Sequence, residues 1–307
     1  MLGETTGGVS AAPNKTPSAP RTPLATDTSA AAEHAQLRLL RAATIGRRAR
    51  LAFSLTRTTL ALARRALRRA RPGASERDLR LVFVELHYGS ALAGRLRHQE
   101  AAMTTPATSD MLLALTPVVE ELERLGVPYY IGGSLASSAY GVARATLDAD
   151  LVADLQSTQV GAFVTALQAS YYLDEVAIND AIQRRLSFNL IHLATMIKVD
   201  VFINKARPSD AEAFRRVRQE PLDDEDATAG ADATRRYALA SPEDVILAKL
   251  EWYRFGGETS ERQWGDILGV IKVQGPALDA AYVRQWAGAL NLADLLQRAL
   301  DEAGFPA

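Results

Sequence analysis

The chain has 307 residues, 35 Lys+Arg against 36 Asp+Glu, 48% hydrophobic residues and no cysteine. That is material for one large domain or two ordinary ones with a sizeable core. It excludes a disulfide framework, Cys-ligated zinc and thiol catalysis, and it suits a cytoplasmic protein. No run reaches the roughly 18 unbroken apolar residues of a membrane span, and no signal peptide is expected.

Charge is unevenly placed. Eleven Arg fall between 34 and 75 with no Lys and no acid, so the remainder carries −12 against a total of −1. Such asymmetry hints at a polyanionic partner. Residues 1–35 are largely Ala, Pro, Thr, Ser and Gly. They bury too little apolar surface to offset chain entropy and are expected to be disordered.

Residues 36–100 read as a small Arg-rich all-α unit. Leu51, Leu55, Thr58, Leu62 and Ala66 recur at helical spacing, which predicts a core-facing stripe with Arg on the other faces. Arg71-Pro72-Gly73 stops that helix. Ser75 and Asp78 predict a capping box for a second helix through Leu86, and a third, short helix follows Gly89 to about Arg97. A polar linker is expected at 101–110.

From Met111 the pattern is mixed. Leu112, Leu115, Val118, Val119, Leu122 and Leu125 predict an amphipathic helix ending at Gly126. A short apolar run, 127–131, leads into Gly132-Gly133-Ser134 and an Ala-rich helix to Gly141. Strands are predicted at 147–152, 186–193, 195–203 and 237–240. Helices are predicted at 156–169 and 208–218, followed by an acidic turn at 223–226. Ser241-Pro242 opens a helical region, 242–255, 259–273, 277–288 and 291–303. The expected fold is α+β: a mixed sheet with flanking helices over 111–240, then a C-terminal helical bundle over 241–307.

The informative constellation is Gly132-Gly133-Ser134, Asp148-Ala149-Asp150 and Asp200. Glycines between a strand and a helix let the backbone approach a phosphate, where helix N–H groups are free. Asp148 and Asp150 alternate on a strand and share a face. Two carboxylates there repel unless a divalent cation joins them, and hard oxygen donors suit Mg²⁺. Asp200, inside a β-branched strand, is either the third ligand or the base that takes a proton from an attacking hydroxyl. Together they outline a two-metal phosphoryl-transfer site for a nucleoside triphosphate (NTP).

These motifs resemble the nucleotidyltransferase (polymerase β-like) fold. The run from Arg144 to Leu151 and the segment from Ser241 to Tyr253 are similar to the AbiEii-type nucleotidyltransferases, the toxin half of bacterial type IV toxin–antitoxin systems. The resemblance covers about 111–303. It implies transfer of a nucleoside monophosphate to a hydroxyl, such as a tRNA 3′ end, a toxin or phage-defence role and an antitoxin partner. It also implies that Lys249 and Asp266 complete the site.

Plainer readings stand beside these. Arg144 is a phosphate contact or a surface charge. Lys249 binds phosphate or snorkels from an apolar helix. Asp266 is a site acid or an exposed helix acid. Trp252, Tyr253 and Trp264 are expected in the core rather than as a base-stacking platform, and His192 is expected to be structural. The Arg segment, 38–71, is an RNA-binding arm, a solvated helix face, or a dock for the acidic remainder. The alternative function is a nucleotide-binding module without turnover.

Overall fold

The computed structural model describes residues 28–97, 109–222 and 235–305. The expected tail up to 27, most of the linker and the acidic turn at 223–226 lie outside the described residues.

Four helices come first: α1 (Ala30–Ala42), α2 (Ile45–Ala70), α3 (Glu76–Tyr88) and α4 (Ser90–Leu96). The expected disorder therefore stops short of 35, because α1 begins at Ala30 with Ser29 Oγ accepting from the Ala32 N–H. Thr44 caps α2 the same way, and the Ser75–Asp78 capping box of α3 is formed on both sides.

The expected core stripe of α2 is turned the other way. Leu51, Leu55 and Leu62 are 48%, 40% and 61% exposed. The buried stripe is Arg48, Ala49, Ala52, Phe53, Thr56 and Leu60. A buried Arg and Thr broke the apolar pattern, and small alanines carried the contact. Arg48 is satisfied without an acid: it donates to the carbonyls of Leu40 (2.6 Å), Ala43 (2.7 Å) and Ala139 (2.6 Å).

The second region runs α5 (Asp110–Arg124), β1 (Tyr129–Ile131), α6 (Gly133–Tyr140), β2 (Asp148–Ala153), α7 (Val160–Leu167), β3 (Tyr171–Tyr172), α8 (Glu175–Arg184), β4 (Ser187–His192), β5 (Lys198–Ile203), α9 (Pro208–Arg215), β6 (Arg218–Pro221) and β7 (Arg236–Leu239). The C-terminal helices are α10 (Pro242–Phe255), α11 (Glu261–Gln274), α12 (Ala280–Ala289) and α13 (Ala293–Ala303). Three elements were not anticipated. β3 and β6 are two and four residues long, too short for an alternation pattern. α8 exposes Val176 and buries only Ile178 and Ala181, so its face is narrow. Its N-terminus is legible in retrospect: Asp174 Oδ1 accepts from the Val176 and Ala177 N–H groups.

The molecule is α+β, with thirteen α-helices among the described residues around one mixed sheet of order β3-β4-β5-β2-β1-β7-β6. β2 is central, parallel to β5 and antiparallel to β1. One hydrophobic core runs through the molecule. Phe53, Leu60, Phe83 and Leu96 of the N-terminal helices share it with Leu151, Val199 and Ile271 of the rest. No described helix is long and apolar enough to cross a membrane.

Candidate active site

Strand alternation builds the floor. On β2, Asp148, Asp150 and Val152 share one face, and Ala149, Leu151 and Ala153 are buried on the other. On β5, Lys198, Asp200 and Phe202 share a face and Val199, Val201 and Ile203 are buried. The parallel register sets Asp148 beside Lys198 and Asp150 beside Asp200. Lys198 Nζ lies 2.8 Å from Asp200 Oδ2 and 3.6 Å from Asp148 Oδ1.

The Gly-Gly-Ser turn closes over Asp150. The Gly132 N–H donates to the Asp150 carbonyl at 2.9 Å. Gly133 has φ +53°, and a Cβ there would meet Asp150 Oδ2 at 1.7 Å, so only glycine fits. The Ser134 N–H donates to Asp150 Oδ2 at 3.3 Å. Asp150's carboxylate thus occupies the α6 N-terminus, where free N–H groups and the positive dipole end favour an anion. Burial raises the Asp150 pKa, against the Lys249 charge and the Ser134 N–H. Burial also pushes Asp200 up to about 6, with the Lys198 hydrogen bond opposing and the neighbouring aspartates adding.

The wall is a buried charge cluster. Asp266, 8% exposed, accepts from Arg144 Nε (2.7 Å) and Nη2 (2.8 Å) and from Lys249 Nζ (2.7 Å). Arg144 Nη2 also donates to Ser134 Oγ. Arg144 is therefore neither an outer surface charge nor free, and Asp266 is not an exposed helix acid. Lys249 does not snorkel: it is 7% exposed and ends on Asp266. Burial alone would raise the Asp266 pKa, but the Arg144 and Lys249 contacts hold it below the usual carboxylate value.

Gly132, Gly133, Ser134, Arg144, Asp148, Asp150 and Lys249 line a cleft of about 310 Å³; Lys198, Asp200 and Asp266 stand behind its lining as their partners and neighbours. Sequence reasoning missed several residues in and around the cleft. Lys198 follows the same period-two alternation as Asp200 and was findable that way. Lys205 and Arg262 line the cleft without an ion-pair partner among the described residues, and no pattern marks them. Arg207 caps α9 and is clamped by Asp210 and by Glu251 of α10. Trp252 corrects the core expectation: it is 45% exposed, lines the cleft and packs edge-on against Phe202 at 5.7 Å between centroids. Tyr253 and Trp264 are core, with centroids 5.0 Å apart. His192 pairs with Thr195 Oγ1 at 2.9 Å, a structural contact.

Among the described residues no three His, Cys, Asp or Glu side chains are assembled as an ion cage. Asp150 is turned onto Gly133 and Ser134, and Asp200 onto Lys198. The donor set nevertheless fits Mg²⁺. All three aspartates offer hard oxygens on one face, and the buried Asp148 Oδ1 has no hydrogen-bond partner among the described residues.

Neither protein-family models nor curated proteins returned a match to this chain. Among solved structures, it is similar to an antigenic nucleotidyltransferase-like protein from Paracoccidioides brasiliensis. The identity is 15%, the coverage 63% of this chain and 96% of that one, and the TM-score 0.37. A likeness of that depth assigns no role to any residue here; the roles rest on the geometry above.

Proposed function

We propose that this chain is a Mg²⁺-dependent nucleotidyltransferase that moves a nucleoside monophosphate from an NTP to a hydroxyl acceptor. The observation that carries it is the three aspartates of β2 and β5 on one face, with Asp150 set against a Gly-Gly-Ser helix N-terminus.

The N–H groups that now hold Asp150 suit the oxygens of a triphosphate. Lys205 and Arg262 add uncommitted positive charge, and Arg144 fixes the Ser134 hydroxyl. Trp252 offers a face for the base; such stacking contributes about 1–3 kcal/mol. The acceptor oxygen attacks the α-phosphorus, the new O–P bond forms, and the bond to pyrophosphate breaks. The hydroxyl proton passes to the Asp200 carboxylate. Mg²⁺ held by Asp148, Asp150 and Asp200 would neutralise phosphate charge and acidify the acceptor hydroxyl.

We further infer an RNA acceptor steered by α2. Arg57, Arg65, Arg69 and Arg71 are exposed and have no partner among the described residues. A tRNA 3′ end, a toxin-like or phage-defence role and an antitoxin partner rest on the AbiEii resemblance alone.

The test uses the full chain, Mg²⁺, each of four labelled NTPs and total RNA, with Asp148→Asn as control. Label should reach RNA from one NTP and fall about a hundredfold or more in the variant. NTP bound without transfer to RNA or to the protein would sink the RNA acceptor and favour the non-catalytic binding module or a small-molecule acceptor. Unchanged transfer by Asp148→Asn would sink the metal assignment.

A further inference from the structure

The N-terminal helices touch the elements that carry the site. Arg48 of α2 donates to the carbonyl of Ala139, in the last turn of the helix that Gly133 and Ser134 open. Thr56 Oγ1 accepts from the Thr146 N–H at 3.1 Å and shares its own proton between the carbonyls of Ala52 (2.9 Å) and Thr146 (3.2 Å). Arg64 Nη2 donates to the Thr195 carbonyl at 3.2 Å. Tyr88, the last residue of α3, places its hydroxyl 3.2 Å from both the Leu147 and the Met196 carbonyls.

The contacts from Thr56, Arg64 and Tyr88 fall just ahead of β2 and β5. Leu147 adjoins Asp148, and Met196 lies two residues before Lys198. Asp148 and Lys198 are the first pair of the β2–β5 ladder, and a terminal pair is where a ladder frays. Two carbonyls facing one hydroxyl repel each other unless its proton lies between them. Met196 also holds a positive φ of 60°, a conformation a non-glycine residue keeps only when its surroundings enforce it. The Tyr88 ring lies 5.6 Å from Lys198 Nζ.

We propose that Tyr88 is a positioning residue for the nucleotidyl-transfer site. Its hydroxyl clamps the entries of β2 and β5, so that Asp148, Lys198 and Asp200 keep their relative placement. The N-terminal helical unit is in this way a working part of the site and not an appendage. The proposal rests on the nucleotidyltransferase reading for its kinetic consequence and on the hydrogen bonds alone for its structural one.

The test is Tyr88→Phe in the full chain, which removes one hydroxyl and keeps the ring beneath Lys198. The kcat of transfer should fall about tenfold or more, since small misplacements of reacting groups cost up to about a hundredfold, while KM for the NTP stays within about twofold. Amide hydrogen exchange should quicken about fivefold in peptides spanning 146–151 and 195–201, with α3 unchanged. Quickened exchange in a protein whose wild type shows no turnover would sink the enzyme reading and leave the clamp standing. Exchange and kcat both at wild-type values would overturn the clamp. If Tyr88→Phe loses protection throughout, Thr56→Val decides. It should loosen 146–151, the β2 entry that Tyr88 also holds, with Thr56→Ser restoring it, and wild-type exchange there in Thr56→Val would overturn the proposal.

Discussion

Asp266 accepts hydrogen bonds from Arg144 and Lys249 in a setting where burial by itself would neutralise it. Removing the charge leaves a buried Lys249 without its partner, a loss of the kind that costs about 3–5 kcal/mol. Asp266→Asn should therefore lower unfolding stability by about 3 kcal/mol at pH 7 in urea titrations. The sign with pH follows from the lowered native pKa. The stabilisation is present above the unfolded carboxyl value of about 3.9 and is lost as pH falls through the lower folded value. The gap between variant and wild type should narrow below about pH 4, and an equal gap at both pH values would contradict the ion cluster as its source.

α2 divides its arginines between two tasks. Arg48 donates to the carbonyls of Leu40, Ala43 and Ala139, Arg64 donates to the Thr195 carbonyl and lies 3.7 Å from the Asp110 carboxylate, and Arg68 pairs with Glu76. Docking onto the rest of the chain is thus real, but it runs mainly through carbonyls and not through acidic side chains. Arg57, Arg65 and Arg69 remain exposed beside Leu51, Leu55 and Leu62. Changing these three arginines to Gln should weaken RNA binding and reduce the slope of log affinity against log salt by about 2, as expected when roughly three phosphate contacts to single strands are lost. Fluorescence anisotropy across a salt series reads this directly. The melting temperature should barely move, because surface substitutions without partners stay within about 0.5 kcal/mol. An unchanged salt slope would mean that RNA does not touch this face.

At the scale of the molecule, the N-terminal helices and the α/β region share one core. Glu33 and Arg41 of α1 hold Lys272 on α11, through its ammonium and its carbonyl respectively. Contacts of this kind couple unfolding across elements. Calorimetry on the full chain should show one transition, with calorimetric and van't Hoff enthalpies in agreement. Two separable transitions would mean that the helical unit folds by itself, and would weaken the case for its role in the site.

Much of the site was legible from short-range rules. Period-two alternation put Asp148 and Asp150 on one face, the Gly-Gly-Ser turn marked a helix N-terminus, and Ser75, Asp78 and Ser241 marked caps. These depend on neighbours within a few residues, which sequence displays. Only the tertiary structure decided the rest. It set Asp200 beside Asp150, joined Arg144 to an acid 122 positions away, and turned Leu51, Leu55 and Leu62 outward. It also exposed Trp252 to the cleft while burying Tyr253 beside it. The physical reason is common to all four. A helix with two plausible stripes, or a charge with several candidate partners, takes the one that the rest of the fold brings within reach.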